Sequence, residues 1–393
     1  MKKIILLLFL MIFAKSQSQG LNEGTIKSKD YFVEIPFEFI NGKIIFPVEI
    51  NKITYRFVLD TGAPNVLSKK LSSLINPNLK KSISVSDSNN KKSDMGLISI
   101  PELIIGNITF ENSSALVLQE DKNLFFDCFE VDGLIGSNLF RNSIIQIDAK
   151  SKILRITNDE KLLQFNKLNK LKLKLIGNQK SPYMQIKIKN VVAAEEWVLF
   201  DTGMDNFYDL SKKHYDIFKK HNIFSDLGTG TGGQTIGAFG AEEGNKLHKC
   251  LLTDMKIGQI LFKNIEVVTT NDDNSRIGAS ILKYSIVTLD FNGKKIYFDL
   301  FPENIDKTAI DLVQKSRGLG MSIANNKIVV GVIWDEVLKS KITVGDEITN
   351  INGVNYENKD ICEIITAKSI MKNNKPVEII VKSKTGEYIK LSL

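Results

Sequence analysis

The chain has 393 residues, of which 43% are hydrophobic, and a formal net charge of +7. This length favours two or three domains, and the apolar content is sufficient for each domain to have a core. The positive charges are dispersed through asparagine-rich segments without a dense basic run, so nucleic acid is excluded as an expected partner.

The N-terminus has the composition of a secretory signal peptide. Lys2 and Lys3 precede an apolar run at residues 4–14, which small and polar residues follow. The run is too short for a permanent membrane helix, so we expect removal of residues 1–18 and a periplasmic or secreted bacterial protein with no stable membrane span. Without Lys2, Lys3 and Lys15 the charge is +4 (7 − 3). An uncleaved anchor is the alternative.

A short motif, Asp-Thr-Gly, follows an apolar strand-like run at residues 57–68, FVLDTGAPNVLS. Taken alone it indicates a turn, because Asp and Gly are common turn residues. The motif recurs at residues 197–211, WVLFDTGMDNFYDLS, so that Asp60 and Asp201 stand 141 positions apart (201 − 60). A repeated motif is better evidence of function than a single one.

The repeat extends beyond the motif. Residues 133–156, GLIGSNLFRNSIIQIDAKSKILRI, align without gaps with residues 275–298, SRIGASILKYSIVTLDFNGKKIYF, and this alignment pairs Gly136 with Gly278. Alternating or short apolar runs between Gly, Asn and Asp predict that both halves are mainly β. Two similar halves can meet around a pseudo-twofold axis, which makes Asp60 and Asp201 candidates for one shared site.

Four segments carry a resemblance to the retropepsin-like and pepsin-like aspartic proteases: Asp60-Thr61-Gly62-Ala63, Asp201-Thr202-Gly203, Leu134-Ile135-Gly136 and Arg276-Ile277-Gly278. The resemblance covers about residues 31–301. It implies a mainly β, bilobal, pseudo-twofold fold, with a first lobe at 19–158 and a second at 159–303. It also implies that each lobe supplies one catalytic aspartate.

By this resemblance, Asp60 and Asp201 share one proton and activate a water molecule that attacks a peptide carbonyl, without a metal ion or organic cofactor. The resemblance further implies that Thr61 and Thr202 bond across the lobe interface.

The remaining loop residues support the same site. Gly62 and Gly203 allow tight turns that bring backbone amides to the carboxylates, and Ala63 matches the retropepsin pattern. Gly136 and Gly278 are expected where a side chain would force the backbones apart. Met204 stands where the family has a small or hydroxyl residue, so we expect it either to reduce hydrogen bonding to Asp201 or to crowd the site.

A glycine-rich segment at residues 226–244, DLGTGTGGQTIGAFGAEEG, is placed like a flap that closes over a peptide, with mobility from its glycines. A flexible surface loop is an equally good interpretation. We do not expect a phosphate-binding loop, because no Lys-Ser/Thr pair follows the glycines. The equivalent segment of the first half, residues 84–96, lacks these glycines, so the two flaps should behave unequally.

From about residue 307 to residue 393 the sequence resembles a PDZ domain, which we place at residues 304–393. The resemblance lies in Gly318-Leu319-Gly320-Met321 and in the later segments 344–348 and 351–353. It implies that amides of Leu319, Gly320 and Met321 bind a peptide C-terminus beside a helix from residues 359–372, with Arg317 as a charge partner. Alternatively, this domain serves only as a packing module.

The three cysteines, Cys128, Cys250 and Cys362, are widely spaced and form no metal-type cluster. At most one disulfide is possible, and we expect ordinary buried thiols. The three histidines also lack ligand spacing, so no metal site is predicted.

Three functional hypotheses follow. The first is an exported aspartic endopeptidase that cleaves polypeptides with Asp60 and Asp201, while its PDZ domain binds substrate or partner C-termini. The alternative is a catalytically weak or inactive peptide-binding scaffold on the same fold. In a third hypothesis, the PDZ domain occludes the active site until a ligand binds.

Overall fold

The computed structural model describes residues 20–242, 244–313, 317–367 and 375–393. The predicted signal peptide, residues 1–18, lies outside these ranges. The described chain is mainly β, as predicted. None of its helices combines the length and apolar character needed to cross a membrane.

The first half of the repeat contains twelve strands and two short α-helices within the described residues. In chain order they are β1 (Thr25–Ile26), β2 (Phe32–Pro36), β3 (Glu38–Ile40), β4 (Lys43–Ile50), β5 (Ile53–Asp60), β6 (Val66–Leu67), α1 (Lys69–Ile75), β7 (Leu79–Ser86), β8 (Lys92–Ile105), β9 (Ile108–Val117), α2 (Leu124–Phe129), β10 (Gly133–Gly136), β11 (Ile144–Asp148) and β12 (Ile153–Thr157).

The second half has a similar succession of elements. They are a 3-10 turn (Glu160–Leu162), β13 (Lys170–Ile176), β14 (Ser181–Lys189), β15 (Ala193–Asp201), β16 (Tyr208–Ser211), α3 (Lys212–Lys220), β17 (Ser225–Gly232), β18 (Ile236–Gly237), β19 (Gly240–Ala241), β20 (Asn245–Ile257), β21 (Ile260–Thr270), β22 (Arg276–Gly278), a 3-10 turn (Ala279–Lys283), β23 (Ser285–Asp290), β24 (Lys295–Leu300), α4 (Pro302–Ile305) and β25 (Ile310–Asp311).

The two halves place their Asp-Thr-Gly motifs by the same strand pairing. Strand β5 pairs in parallel with β10, so that Asp60 lies opposite Gly136. Strand β15 pairs in parallel with β22, so that Asp201 lies opposite Gly278. A serine then caps the helix after each motif, because its hydroxyl accepts a backbone N–H of the first turn, at Ser68 for α1 and at Ser211 for α3.

A sheet shared between the halves joins them. Strand β11 pairs with β23 antiparallel, and Gln146 lies opposite Thr288, its own counterpart at the repeat offset of 142. Gln146 Nε2 donates to Thr288 Oγ1 at 3.0 Å. One continuous hydrophobic cluster contains residues of both halves, including Phe57 and Phe200, which precede the two motifs.

The C-terminal unit has a separate hydrophobic core, which includes Leu319, Ile348 and Val381. Its elements are β26 (Leu319–Ala324), β27 (Lys327–Ile333), α5 (Glu336–Lys339), β28 (Glu347–Ile351), β29 (Val354–Asn355), α6 (Ile361–Thr366), β30 (Glu378–Lys382) and β31 (Tyr388–Ser392). The sheet order is β26-β27-β28-β30-β31, with β29 on β28. The helix predicted at 359–372 is observed as α6, and residues 368–372 lie outside the described ranges.

A disulfide between Cys128 and Cys362 joins α2 of the first half to α6 of the C-terminal unit. The prediction of ordinary thiols is therefore wrong for these two residues, whereas Cys250 is a buried free thiol as expected. Their 234-residue separation explains the error, since only the docking of α2 on α6 brings the sulfurs together.

Candidate active site

The two Asp-Thr-Gly loops face each other at the junction of the halves. A Cβ atom built on Gly62 would lie 2.5 Å from Asp201 Cγ, and one built on Gly203 would lie 2.4 Å from Asp60 Oδ2. Each glycine thus leaves the space into which the opposite carboxyl group fits. The structure brings Asp60 and Asp201 together, although neither is near the other in the sequence.

Four reciprocal hydrogen bonds lock these loops. Thr61 Oγ1 donates to Phe200 O at 2.6 Å and accepts from Thr202 N at 3.0 Å. Thr202 Oγ1 in turn donates to Leu59 O at 2.8 Å and accepts from Thr61 N at 3.0 Å. Both threonines are fully buried. This is the arrangement across the interface that the resemblance implied for Thr61 and Thr202.

The two carboxyl groups receive different numbers of loop hydrogen bonds. Asp60 Oδ1 accepts from Gly62 N at 2.9 Å and from Ala63 N at 3.1 Å. Asp201 Oδ1 accepts from Gly203 N at 2.9 Å, while Met204 N donates to the main-chain oxygen of Asp201 at 3.3 Å.

The Met204 side chain is buried, and its Cε lies 2.7 Å from the position that a Cβ of Gly278 would occupy. Met204 therefore packs on the strand behind the loop. Of the two effects expected from it, reduced hydrogen bonding to Asp201 agrees with the smaller number of amides at that carboxyl group.

Asp60 is a weak acid in this setting. Burial, together with the negative charge of Asp201, raises the pKa of Asp60 to about 7, although the charge of Lys43 and the Gly62 amide act in the opposite direction. Two carboxyl groups so close together favour a state in which they share one proton.

Two cations beside the pair were not assigned to the site from the sequence. Lys43 Nζ, on β4, donates to Gly203 O. Arg276 Nη1, on β22, lies 3.3 Å from Asp201 Oδ2, and Nη2 contacts Asp272. Burial disfavours the charge of Arg276, but Asp201 and Asp272 outweigh it and raise the pKa of the guanidinium. The available sequence signal was that the repeat aligns Arg276 with Leu134.

The similar spacing between motif and glycine in the two halves reflects close packing, as predicted for Gly136 and Gly278. A Cβ on Gly136 would lie 2.3 Å from Ala63 O, and one on Gly278 would lie 2.4 Å from Asn206 O. The strands β10 and β22 therefore support the loops from behind.

Both flap segments are hairpins whose tips meet. Strands β7 and β8 form the first flap, and β17 and β20 form the second. Thr235 Oγ1 donates to Asn89 Oδ1 at 2.7 Å, and Phe239 N donates to Asp87 Oδ2 at 3.0 Å. Asn89 Nδ2 also donates to Gly240 O at 3.1 Å. The glycine-rich segment is therefore part of a hairpin, and its closure over a peptide stays a prediction.

The alternating glycines of β17 have a packing role that sequence reasoning missed. A Cβ on Gly228, Gly230 or Gly232 would lie 3.3, 2.6 or 1.8 Å from the main-chain oxygens of Trp334, Ile333 and Gly331, respectively. These oxygens belong to β27 and the residue after it. The second flap is thus in close contact with the C-terminal unit.

The predicted peptide-binding loop, Gly318 to Met321, lies beside the same flap. Gly318 O accepts from Trp334 N at 2.8 Å, and Leu319 is buried in the core of the C-terminal unit. Met321 packs against that core. A Cβ on Gly320 would lie 1.4 Å from Nε2 of Gln234, a residue of the flap.

Arg317 does not take the place expected of a charge partner for a peptide. It is buried, and its guanidinium donates to Leu393 O at 2.7 Å and to Lys375 O at 2.6 Å. Arg317 therefore links the segment before β26 to Leu393 and Lys375 within the C-terminal unit.

Metal ligands do not cluster in the described ranges. Among those residues, no group of three or more His, Cys, Asp or Glu side chains is placed to hold an ion.

Comparison with known proteins bears on the first half of the site. Residues 46–139 match the aspartyl protease family. The matched stretch contains Asp60 and the Leu134-Ile135-Gly136 segment, but the second Asp-Thr-Gly motif lies outside it. No curated protein matches the chain.

Two solved structures show weak likeness. A retropepsin-like aspartic protease from Rickettsia conorii is 18% identical, with 34% of this chain and 94% of that chain covered and a TM-score of 0.25. An aspartic proteinase from Irpex lacteus is 12% identical, with coverage of 71% and 100% and a TM-score of 0.44.

Proposed function

We propose that this chain is an exported aspartic endopeptidase with a catalytic pair formed by Asp60 and Asp201. The reciprocal insertion of each carboxyl group into the space left by the opposite glycine is the observation that carries the proposal. The interlocked threonines hold that geometry, and the aspartyl protease match of residues 46–139 supports it.

The arrangement suits hydrolysis of a peptide bond. With one proton on the pair, the ionised carboxylate removes a proton from water as the water oxygen attacks the carbonyl carbon. The protonated carboxyl group donates to the carbonyl oxygen, and collapse of the tetrahedral intermediate breaks the C–N bond as the amine takes up a proton. The carboxyl groups supply this acid and base chemistry themselves.

In this proposal the chain has two protease lobes, at residues 19–158 and 159–303, related by the pseudo-twofold axis. The pairing of Gln146 with its counterpart Thr288 supports such an axis. Export to the periplasm or outside the cell is supported by the N-terminal sequence and by the disulfide, since disulfides persist mainly in oxidising compartments.

For the C-terminal unit, whose core begins at Leu319 after β25 of the second half, we propose a PDZ-like domain that controls the second flap. The disulfide ties the unit to the first half, and the glycine face of β17 packs on β27. Strand β26 is at a sheet edge, the position at which an added peptide strand pairs in such domains. A polypeptide C-terminus bound there would lie next to Gln234 of the flap, which couples ligand binding to flap position.

A peptide-binding scaffold without turnover is the second candidate. Met204 favours it, because one loop amide donates to Asp201 Oδ1 in the Met204 loop, whereas two donate to Asp60 Oδ1.

Cleavage of peptides by the mature chain, compared with Asp60→Asn and Asp201→Asn, distinguishes the candidates. The protease proposal requires both variants to be inactive and folded. Peptide binding without turnover in the wild type would instead support the scaffold.

A further inference from the structure

We propose that Arg276 is a positioning residue that assigns the roles of the two carboxyl groups, so that Asp201 is the base and Asp60 carries the shared proton. This inference rests on the proposed protease function. It concerns a residue outside both Asp-Thr-Gly motifs, and it makes a nearly symmetric site chemically asymmetric.

The guanidinium is fixed from two sides. Nη1 lies 3.3 Å from Asp201 Oδ2, and Nη2 contacts Asp272. Asp272 is itself held, since its Oδ1 accepts from Asn274 N at 2.7 Å and from Asn274 Nδ2 at 3.0 Å. The Arg276 side chain is only 14% exposed, so its charge is weakly screened by solvent.

The first half supplies an internal comparison. Leu134 pairs with Val58 on the strand leading to Asp60, and Arg276 pairs with Leu199, the repeat equivalent of Val58, on the strand leading to Asp201. The fold therefore accepts an apolar side chain at this register. At this register the cation Arg276 lies beside Asp201, whereas the first half has the apolar side chain of Leu134.

Other charged and polar groups surround Arg276. Asp209 lies opposite it on β16, and Asn206 Nδ2 donates to Asp209 at 3.1 Å. From β14, Tyr183 Oη donates to Asn274 at 2.8 Å. Arg276 contacts Asp201 in the presence of all these neighbouring groups.

On the other side of the site, Lys43 donates to Gly203 O. The charge of Lys43 lowers the pKa of Asp60, but burial and Asp201 raise it by more, so the net direction is upward.

The charge of Arg276 determines which carboxyl group carries the shared proton. A carboxylate paired with a buried guanidinium is favoured in its ionised form, so the shared proton resides on Asp60. Water then transfers a proton to Asp201 as its oxygen bonds to the carbonyl carbon, and Asp60 protonates the carbonyl oxygen. When the C–N bond breaks, the amine takes the proton from Asp201, and the former carbonyl oxygen returns its proton to Asp60.

The test uses Arg276→Gln, which removes the charge but keeps a polar, shorter side chain. Arg276→Lys restores the charge, and Leu134→Met is the matched neutral change in the other half. Aspartate carboxyl groups are labelled with ¹³C and titrated by NMR, with Asp60→Asn and Asp201→Asn used to assign the two signals. Circular dichroism verifies the fold of each variant.

In the wild type we expect the Asp201 signal to be that of a carboxylate while Asp60 titrates. In Arg276→Gln both signals should move together, and Arg276→Lys should restore the wild-type order. The acid limb of the kcat/KM profile should move upward by about one pH unit in Arg276→Gln and stay unchanged in Leu134→Met.

Signals in Arg276→Gln that titrate as in the wild type would overturn the inference. Should Arg276→Gln not fold, Arg276→Lys and the wild type still decide, because a wild type in which both signals titrate together is also contrary to it. A wild-type chain that shows the ordered titration but cleaves no peptide would instead refute the proposed function, so the two failures are distinguishable.

Discussion

The threonine lock between the loops gives a prediction whose size follows from the structure. Thr202→Val keeps the shape of the side chain but removes its hydroxyl group. Leu59 O and Thr61 N then lose their partners in a fully buried place. An unsatisfied buried group costs about 1–3 kcal/mol, so the free energy of unfolding should fall by about 2–6 kcal/mol.

Thr202→Ser is the matched control, because it keeps the hydroxyl group and loses one methyl group, at a cost of about 1 kcal/mol. Urea unfolding followed by the fluorescence of Trp197 and Trp334 measures both variants. Thr202→Val should be the less stable by at least 1 kcal/mol, and should also lose catalytic rate because the loops are no longer held. Equal stability of the two variants would refute the inferred role of the lock.

Three further predictions concern charge and the C-terminal unit. Because the pKa of Asp60 is raised from 3.8 to about 7, the native state holds more protons than the unfolded state between these values, and stability falls as pH rises through this window. Asp60→Asn should remove up to about 4 kcal/mol of that pH dependence between pH 4 and 8, measured by urea unfolding; an unchanged dependence would contradict the raised pKa. Reduction of the disulfide, or Cys362→Ser, should lower the free energy of unfolding of the C-terminal unit by about 2–5 kcal/mol and speed peptide cleavage. Cys362→Ser is also the control, because its cleavage rate should not respond to reductant. A wild-type rate unaffected by reductant would argue against control of the flap. Gly230→Val should separate the flap from β27 and increase proteolysis of the C-terminal unit, whereas exposed Thr231→Val should not; equal proteolysis would exclude this contact as the anchor.

The pairing of the two motifs was predictable because both belong to an internal sequence repeat. Asp60 and Asp201 follow equivalent strands at nearly constant spacing, and a pseudo-twofold arrangement of similar halves brings equivalent residues together. The mainly β class was also predictable, because the alternation of apolar residues is a local pattern that indicates strands.

Contacts between distant parts of the chain were not predictable in this way. The disulfide depends on how α2 docks on α6, and the Arg276 contact depends on the register of β15 with β22. The role predicted for Arg317 was wrong because the motif gave its position in the chain but not the direction of its side chain.

The glycines of β17 show an intermediate case. Their spacing of two residues on one strand face was visible in the sequence and indicates close approach of another backbone. Composition alone suggested mobility instead. The identity of the approaching strand, β27, required the structure.

Catalysis by Asp60 and Asp201 is tested by cleavage of a denatured protein mixture by the mature chain from about pH 3 to 8, the range in which such carboxyl pairs titrate. Mass spectrometry identifies the new termini, and Asp60→Asn and Asp201→Asn serve as controls. We expect cleavage by the wild type that is lost in both variants. Cleavage by either variant at the wild-type rate would contradict it.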